Sequence, residues 1–336
     1  MHSAEHVSAA LASLLRPAVD FSALLGASLH VTAVHSSCGD TILRVININS
    51  SSPRCSEDFF LLNCTRALAG LVLQSWATVE AEGGEPAGVA PALAAPLAAW
   101  RARTLGQQRG SGSAPVAHVL LTRGERAPLS PSLPIFSPSS SSSSSSSSAQ
   151  PCPSFAPYLA APPHALPGLL SAFPAAAAPP PQCLPVPREH LSLLHALRSL
   201  RSAGRGSGGG GSACGDSDPW QPLLRLRQPG ALVTVEAGPT LCRPLYTLAP
   251  AGGSGAGADG EHWVAQGQPA LDCPLDFVLL TTLHHDGSGV PQAAQGLPLV
   301  RRGVLEALFS VRASGGVSTA AGRWSFELLE RRGRVI

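Results

Sequence analysis

Ten consecutive serines, Ser139 to Ser148, are the densest part of a low-complexity pattern that limits what this 336-residue chain can fold into. Residues 82–114, 128–187, 202–218 and 250–260 are dominated by Ser, Pro, Ala and Gly. Such segments bury too little apolar surface to offset the entropy of ordering them. Setting them aside leaves about 200 residues able to build a core. The reading is an α+β chain of two small mixed sheet-and-helix blocks. The N-terminal block spans 1–127, with 82–114 linker-like, and the C-terminal block spans 219–336, with a loop at 250–260. Between them lie a disordered insertion at 128–187, a helix at 188–201 and a Gly-rich linker at 202–218.

Within the first block, Ser3 is placed to cap a helix whose apolar residues Val7, Leu11, Leu14 and Leu15 recur at helical spacing before Pro17 stops it. A hairpin follows: a strand over Leu29–Val34, a turn over Ser36–Asp40 and a return strand over Thr41–Ile48. Ser56 is read as the cap of a long helix, with Glu57 and Asp58 favourable at its positive end. The apolar run from Phe59 to Val79 is interrupted by Asn63, Arg66 and Gln74, groups too polar for hydrocarbon, so it is read as a buried helix and not as a membrane span. Val116–Thr122 gives one more strand and Glu189–Leu200 a helix. In the second block, Leu223–Arg227, Ala231–Glu236, Pro244–Leu248, Asp276–Leu283 and Arg323–Glu330 read as strands, and Leu299–Val311 as a helix.

The chain contains no lysine; all 23 basic side chains are arginine. This excludes P-loop, protein-kinase and Schiff-base chemistry, each of which needs a lysine. A net charge of +2 implies no large field for nucleic acid or anionic lipid. The eight cysteines form no CxxC pair and read as reduced thiols, and the acidic N-terminus does not resemble a signal peptide. No serine sits in a Gly-x-Ser-x-Gly elbow.

The most site-like string is Leu283-His284-His285-Asp286-Gly287-Ser288-Gly289-Val290-Pro291, directly after an apolar strand. Two histidines and an aspartate could serve a metal-dependent or His-assisted hydrolase, although neighbours on a strand point to opposite faces. Arg225 and Arg227, alternating on one expected strand, and Arg243 are candidates for phosphate contact. No catalytic residue, metal site or cofactor is assigned.

The same string resembles the glycine loop of the GHKL ATPases, the family of MutL and the topoisomerase VI B subunit, with the family's leading Asp replaced by His285. His285, Asp286, Gly287, Gly289 and Pro291 carry the resemblance. The family's Glu-x-x-x-Asn helix and its distal lysine have no counterpart here. The resemblance implies a catalytically dead B-like subunit: a non-enzymatic scaffold of a nuclear complex in meiotic DNA-break formation and recombination, with protein partners, weak or indirect DNA contact and no membrane. The alternatives are the hydrolase, a cytoplasmic location and a trafficking adaptor.

Overall fold

In a computed structural model of the full chain, the residues described are all except 1–2, 38–39, 48, 85–87, 107–115, 126–127, 137–154, 174–179, 205–217, 227–229, 247–272, 286–289 and 334–336. The helices are α1 (Ala4–Leu14), α2 (Ser56–Leu68), α3 (Trp76–Ala81), α4 (Pro91–Thr104), α5 (Leu166–Leu169), α6 (Leu193–Gly204), α7 (Gln221–Leu226), α8 (Pro239–Cys242) and α9 (Arg302–Leu308). The strands are β1 (Ser28–Ser37), β2 (Ile42–Ile46), β3 (Ala69–Ser75), β4 (Val116–Leu121), β5 (Phe155–Ala161), β6 (Gln182–Pro185), β7 (Leu232–Glu236), β8 (Phe277–His285), β9 (Gln295–Arg301), β10 (Phe309–Thr319) and β11 (Gly322–Arg331).

Helices and a mixed sheet are both present, in keeping with the expected mixed class, but the strands of the two blocks share one 11-stranded sheet. Its order is β10-β11-β8-β1-β7-β3-β4-β5-β6, with β2 and β9 forming an arm beside β1. From β8 to β6 every neighbouring pair is parallel, whereas β11 joins β8 antiparallel. β1 is hydrogen-bonded to β7 on one side and to β8 on the other, so an early strand is held between two late ones.

Alternation along the strands divides the core into two layers. Leu29, Phe277, Leu279, Phe326 and Leu328 face Val7 and Leu11 of α1, Leu61 and Cys64 of α2, and Leu97 and Trp100 of α4. Val34, Val235, Val278 and Leu280 face Leu193 and Leu197 of α6, Leu223 of α7 and Leu305 of α9. Helices therefore cover both sides, as a sheet with buried parallel strands requires.

Several elements differ from the sequence reading for identifiable reasons. The expected long helix after Ser56 ends at Leu68, and the apolar residues that follow form β3, buried at all seven positions. A strand buried on both faces shows no alternation, so periodicity alone cannot tell it from a helix. Ser56 is the first residue of α2; Cys55 holds the cap position without a side-chain bond. Ser3 does cap α1, accepting from the His6 amide. Leu223–Arg227, expected as a strand, is mostly helix α7, since Trp220 and Leu223 bury together at a spacing of three. The expected helix Leu299–Val311 is divided into the end of β9, α9 and the start of β10, because β9 pairs with β2 and β10 with β11. The stretches expected to be linkers supply α4, β5 and β6, where Pro96, Leu97 and Trp100 of α4, Ala160 and Ala161 of β5 and Leu184 of β6 are buried.

Candidate functional site

The connections define where a ligand can sit. From β1 the chain passes through β2 and α2 to β3, leaving a gap that β7 later fills, and from β7 it moves to β8 on the opposite side of β1. The strand order therefore reverses around β1 and β7. In open parallel sheets, ligands bind outside the carboxyl ends of the strands at such a reversal.

Two sets of polar side chains lie at this edge, one on each face. On the α9 face is a cleft of about 610 Å³. Ser36, Asp40 and Leu43 of the β1–β2 hairpin form one wall, and Ser314, Gly315 and Gly316 of β10 contribute another. Its chemistry comes from β8, α9 and β11. His284 Nε2 and Ser325 Oγ are 2.8 Å apart. Arg302 Nη2 donates to Glu327 Oε1 at 2.7 Å, its Nη1 pairs with the other oxygen of the same carboxylate, and its Nε donates to Glu306 at 3.0 Å. Among the described residues Arg323 forms no ion pair. Desolvation by the cleft walls, and then the charge of Arg323, lower the His284 pKa and favour its neutral form, a competent proton acceptor.

On the α2 face a buried network reaches the ends of β7 and β3. Arg66 Nε donates to both oxygens of Glu236, at 3.0 and 3.1 Å, and its Nη2 donates at 2.5 Å. Glu82 lies 3.9 Å from the same guanidinium and accepts from Gln74 Nε2 at 3.2 Å. Gln74 Oε1 in turn lies 2.7 Å from His118 Nε2, so the imidazole donates there. Burial opposes the charge on Arg66, but Glu236's charge and hydrogen bonds outweigh it and raise the pKa. Burial also raises the Glu82 pKa, partly offset by Arg66. Burial, and then the charge of Arg66, lower His118 to about 3, so it is neutral at pH 7.

The residues singled out from sequence are distributed as follows. His284 and His285 point to opposite faces: His284 enters the cleft, whereas His285 Nε2 lies 3.2 Å from His35 Nδ1. Pro291 precedes a short helical turn over Gln292–Ala294, and Asp286, Gly287 and Gly289 lie outside the described residues. Arg225 is exposed on α7, not on a strand, and Arg227 lies outside the described residues. Arg243 Nε donates to the Pro298 carbonyl at 2.7 Å. Sequence reasoning passed over Ser325, Arg302, Glu327, Glu236 and Glu82. The one available signal was the trio Asn63, Arg66 and Gln74 inside an apolar run, and all three are buried with polar partners.

No protein-family model and no curated protein matches this chain. Solved structures do match. A pyrimidine reductase-like protein from Corynebacterium diphtheriae superposes over 99% of this chain and 100% of its own, with a TM-score of 0.51 and 13% identity. A RibD protein of Acinetobacter baumannii matches with a TM-score of 0.44 and 13% identity, covering 91% of this chain, which spans 59% of that longer protein. At this identity the likeness to the first structure is one of fold.

That fold corrects the earlier resemblance. The chain has the architecture of the pyrimidine reductase-like protein and not that of a GHKL ATPase or a topoisomerase VI B subunit. The strand that carries His285 is an inner strand of a largely parallel sheet, hydrogen-bonded between β1 and β11. The reading as a non-enzymatic scaffold in meiosis and DNA recombination falls with the resemblance that carried it, since the fold is instead one shared with a pyrimidine reductase-like protein.

Proposed function

We propose that this chain is an enzyme of the reductase kind, binding its ligands at the carboxyl edge of β1, β7 and β8. The observation that carries this reading is the reversal of strand order around β1 and β7, in a fold shared end to end with a pyrimidine reductase-like protein. The substrate class that follows is a heterocycle of the pyrimidine kind. Support also comes from the cleft, whose four hydroxyl side chains and mixed charges suit a polar, hydrogen-bonding molecule.

The thiols among the described residues are poor nucleophiles. All five described cysteines are unpaired, and burial raises the pKa of each, Cys55 and Cys273 to about 11. A reductase built this way takes its hydride from a bound carrier such as a dihydronicotinamide. At the same edge the backbone of Gly238, in the turn after β7, faces open space. Backbone around Gly238, with Ser36 and Arg323, would hold the carrier. Within the cleft His284, kept neutral and hydrogen-bonded to Ser325, can position a hydroxyl or exchange a proton with the substrate.

The test is direct titration of the purified full-length chain with NADPH, NADH and reduced flavin, read by tryptophan fluorescence. One donor is expected to bind within the range of about 1 µM to 1 mM. Failure of every donor to bind would overturn the reading.

The hydrogen bond between Ser325 and His284 supports a second reading, a His-assisted hydrolase in which His284 activates Ser325. Hydrolysis of an activated ester, lost in Ser325→Ala and in His284→Ala without any nucleotide requirement, would favour it over the reductase.

A further inference from the structure

The two adjacent histidines of β8 have separate surroundings. His284 belongs to the cleft, and the neighbour of His285 comes from the far end of the chain. In the parallel register of β1 and β8, Ser37 lies opposite His285 and His35 opposite Leu283, so His35 and His285 share the α2 face at the carboxyl ends of both strands. Their rings are tilted by 41° with centroids 5.3 Å apart, and His35 Nδ1 is 3.2 Å from His285 Nε2. Two ring nitrogens this close cannot both present bare lone pairs; a proton or a cation must lie between them.

The spacing suits a cation. Two nitrogens bound at about 2.0–2.1 Å to one tetrahedral ion lie about 3.3–3.4 Å apart. His35 is only 4% exposed, which fixes its ring in place, while His285 is half-buried and opens the pair to solvent. The ladder supports the geometry too, because β1 and β8 are paired continuously from Leu29–Phe277 to Ser37–His285.

We infer that His35 and His285 form a binding site for a borderline divalent cation of the zinc, cobalt or nickel class. Imidazole nitrogens select such ions over magnesium or calcium, which take oxygen ligands. Each histidine would supply one ring nitrogen, Nδ1 of His35 and Nε2 of His285. Among the described residues no third His, Cys, Asp or Glu joins them. A bound ion would tie the carboxyl ends of β1 and β8 together, beside the cleft and independently of any nucleotide.

The experiment uses the full-length chain stripped with chelator and titrated with cobalt and zinc, followed by visible absorption and calorimetry. The wild-type chain is expected to show a cobalt–imidazole absorption that zinc abolishes. His285→Ala and His35→Gln should each weaken binding about tenfold or more, while His284→Ala, one residue away on the opposite face, should leave it unchanged. Because His35 is buried, His35→Gln is accompanied by a circular dichroism spectrum; the half-buried His285→Ala keeps the test decisive if His35→Gln does not fold. Binding that survives His285→Ala, binding lost equally in His284→Ala, or no cobalt spectrum in the wild-type chain would each overturn the proposal.

Discussion

Strands β4 and β11 belong to one sheet but treat polar side chains in opposite ways. β4 is buried at all six positions, and its single polar residue, His118, depends on Gln74 of the next strand. β11 alternates: Trp324, Phe326 and Leu328 pack inward, while Arg323, Ser325 and Glu327 line the cleft on the other face. At β3, β4 and the end of β7, the polar side chains Gln74, His118 and Glu236 are joined with Arg66 and Glu82 in one buried network. Toward the antiparallel end, every second residue is free to meet a ligand. Binding chemistry is therefore expected on β8, β11 and the β1 hairpin, and stability on β3, β4 and β7.

The sharpest way to break this comparison is to open the central network. Arg66→Ala leaves Glu236, with a side chain 6% exposed, buried without its partner. The expected cost is about 3–5 kcal/mol in urea-induced unfolding. A loss below about 1 kcal/mol would show that water reaches the network and that the centre is not closed.

Packing should separate the regions next. Leu120→Ala, at a fully buried site in β4, is expected to cost about 2–5 kcal/mol.

Acid gives a third test. His30 and His118 are both lowered to about 3 in the folded chain, chiefly by burial. Between that value and the ordinary 6.5 the unfolded chain binds protons that the folded chain does not, so stability rises with pH across the window. It is fully present above 6.5 and is lost as pH falls toward 3, by up to about 1.4 kcal/mol per pH unit for each histidine. His118→Gln removes one of these protons while offering Gln74 a new amide partner. The slope of denaturation midpoint against pH should flatten; an unchanged slope would mean that His118 does not titrate as its burial demands.

Smallest of all should be the effects at the cleft. Arg302→Ala breaks a partly exposed pair with Glu327 and is expected to cost about 1 kcal/mol. Ser325→Ala should stay within about 0.5 kcal/mol in stability while changing ligand binding.

The same contrast explains what the sequence discloses. Helix α1 and strand β11 are legible because one face is buried and the other is not, and their apolar residues keep a period; the hairpin of β1 and β2 is legible from its turn residues Ser36 to Asp40. β3 is hidden because Ala69 to Ser75 is buried on both faces and continues the apolar run of α2 without a break. β5 is hidden by composition, since the Ala and Pro of Phe155–Ala161 resemble a linker although Ala160 and Ala161 are fully buried. Of the site, His284 and His285 are visible as a pair, but their partners are not. Ser325 lies 41 residues from His284, and His35 lies 250 residues from His285, contacts that only the sheet order creates. Arg66 and Gln74 are conspicuous as polar breaks in an apolar segment; Glu236, 170 residues from Arg66, gives no local sign of its role.

The central claim is that ligand binds at the carboxyl edge around the reversal of strand order, and amide hydrogen exchange on the full-length chain with and without NADPH tests it most directly. The account predicts slower exchange at the end of β1, at the β7–α8 turn around Gly238 and at the end of β8, with β5 and β6 unchanged. Protection confined to the amino ends of these strands, or none at saturating NADPH, would contradict it.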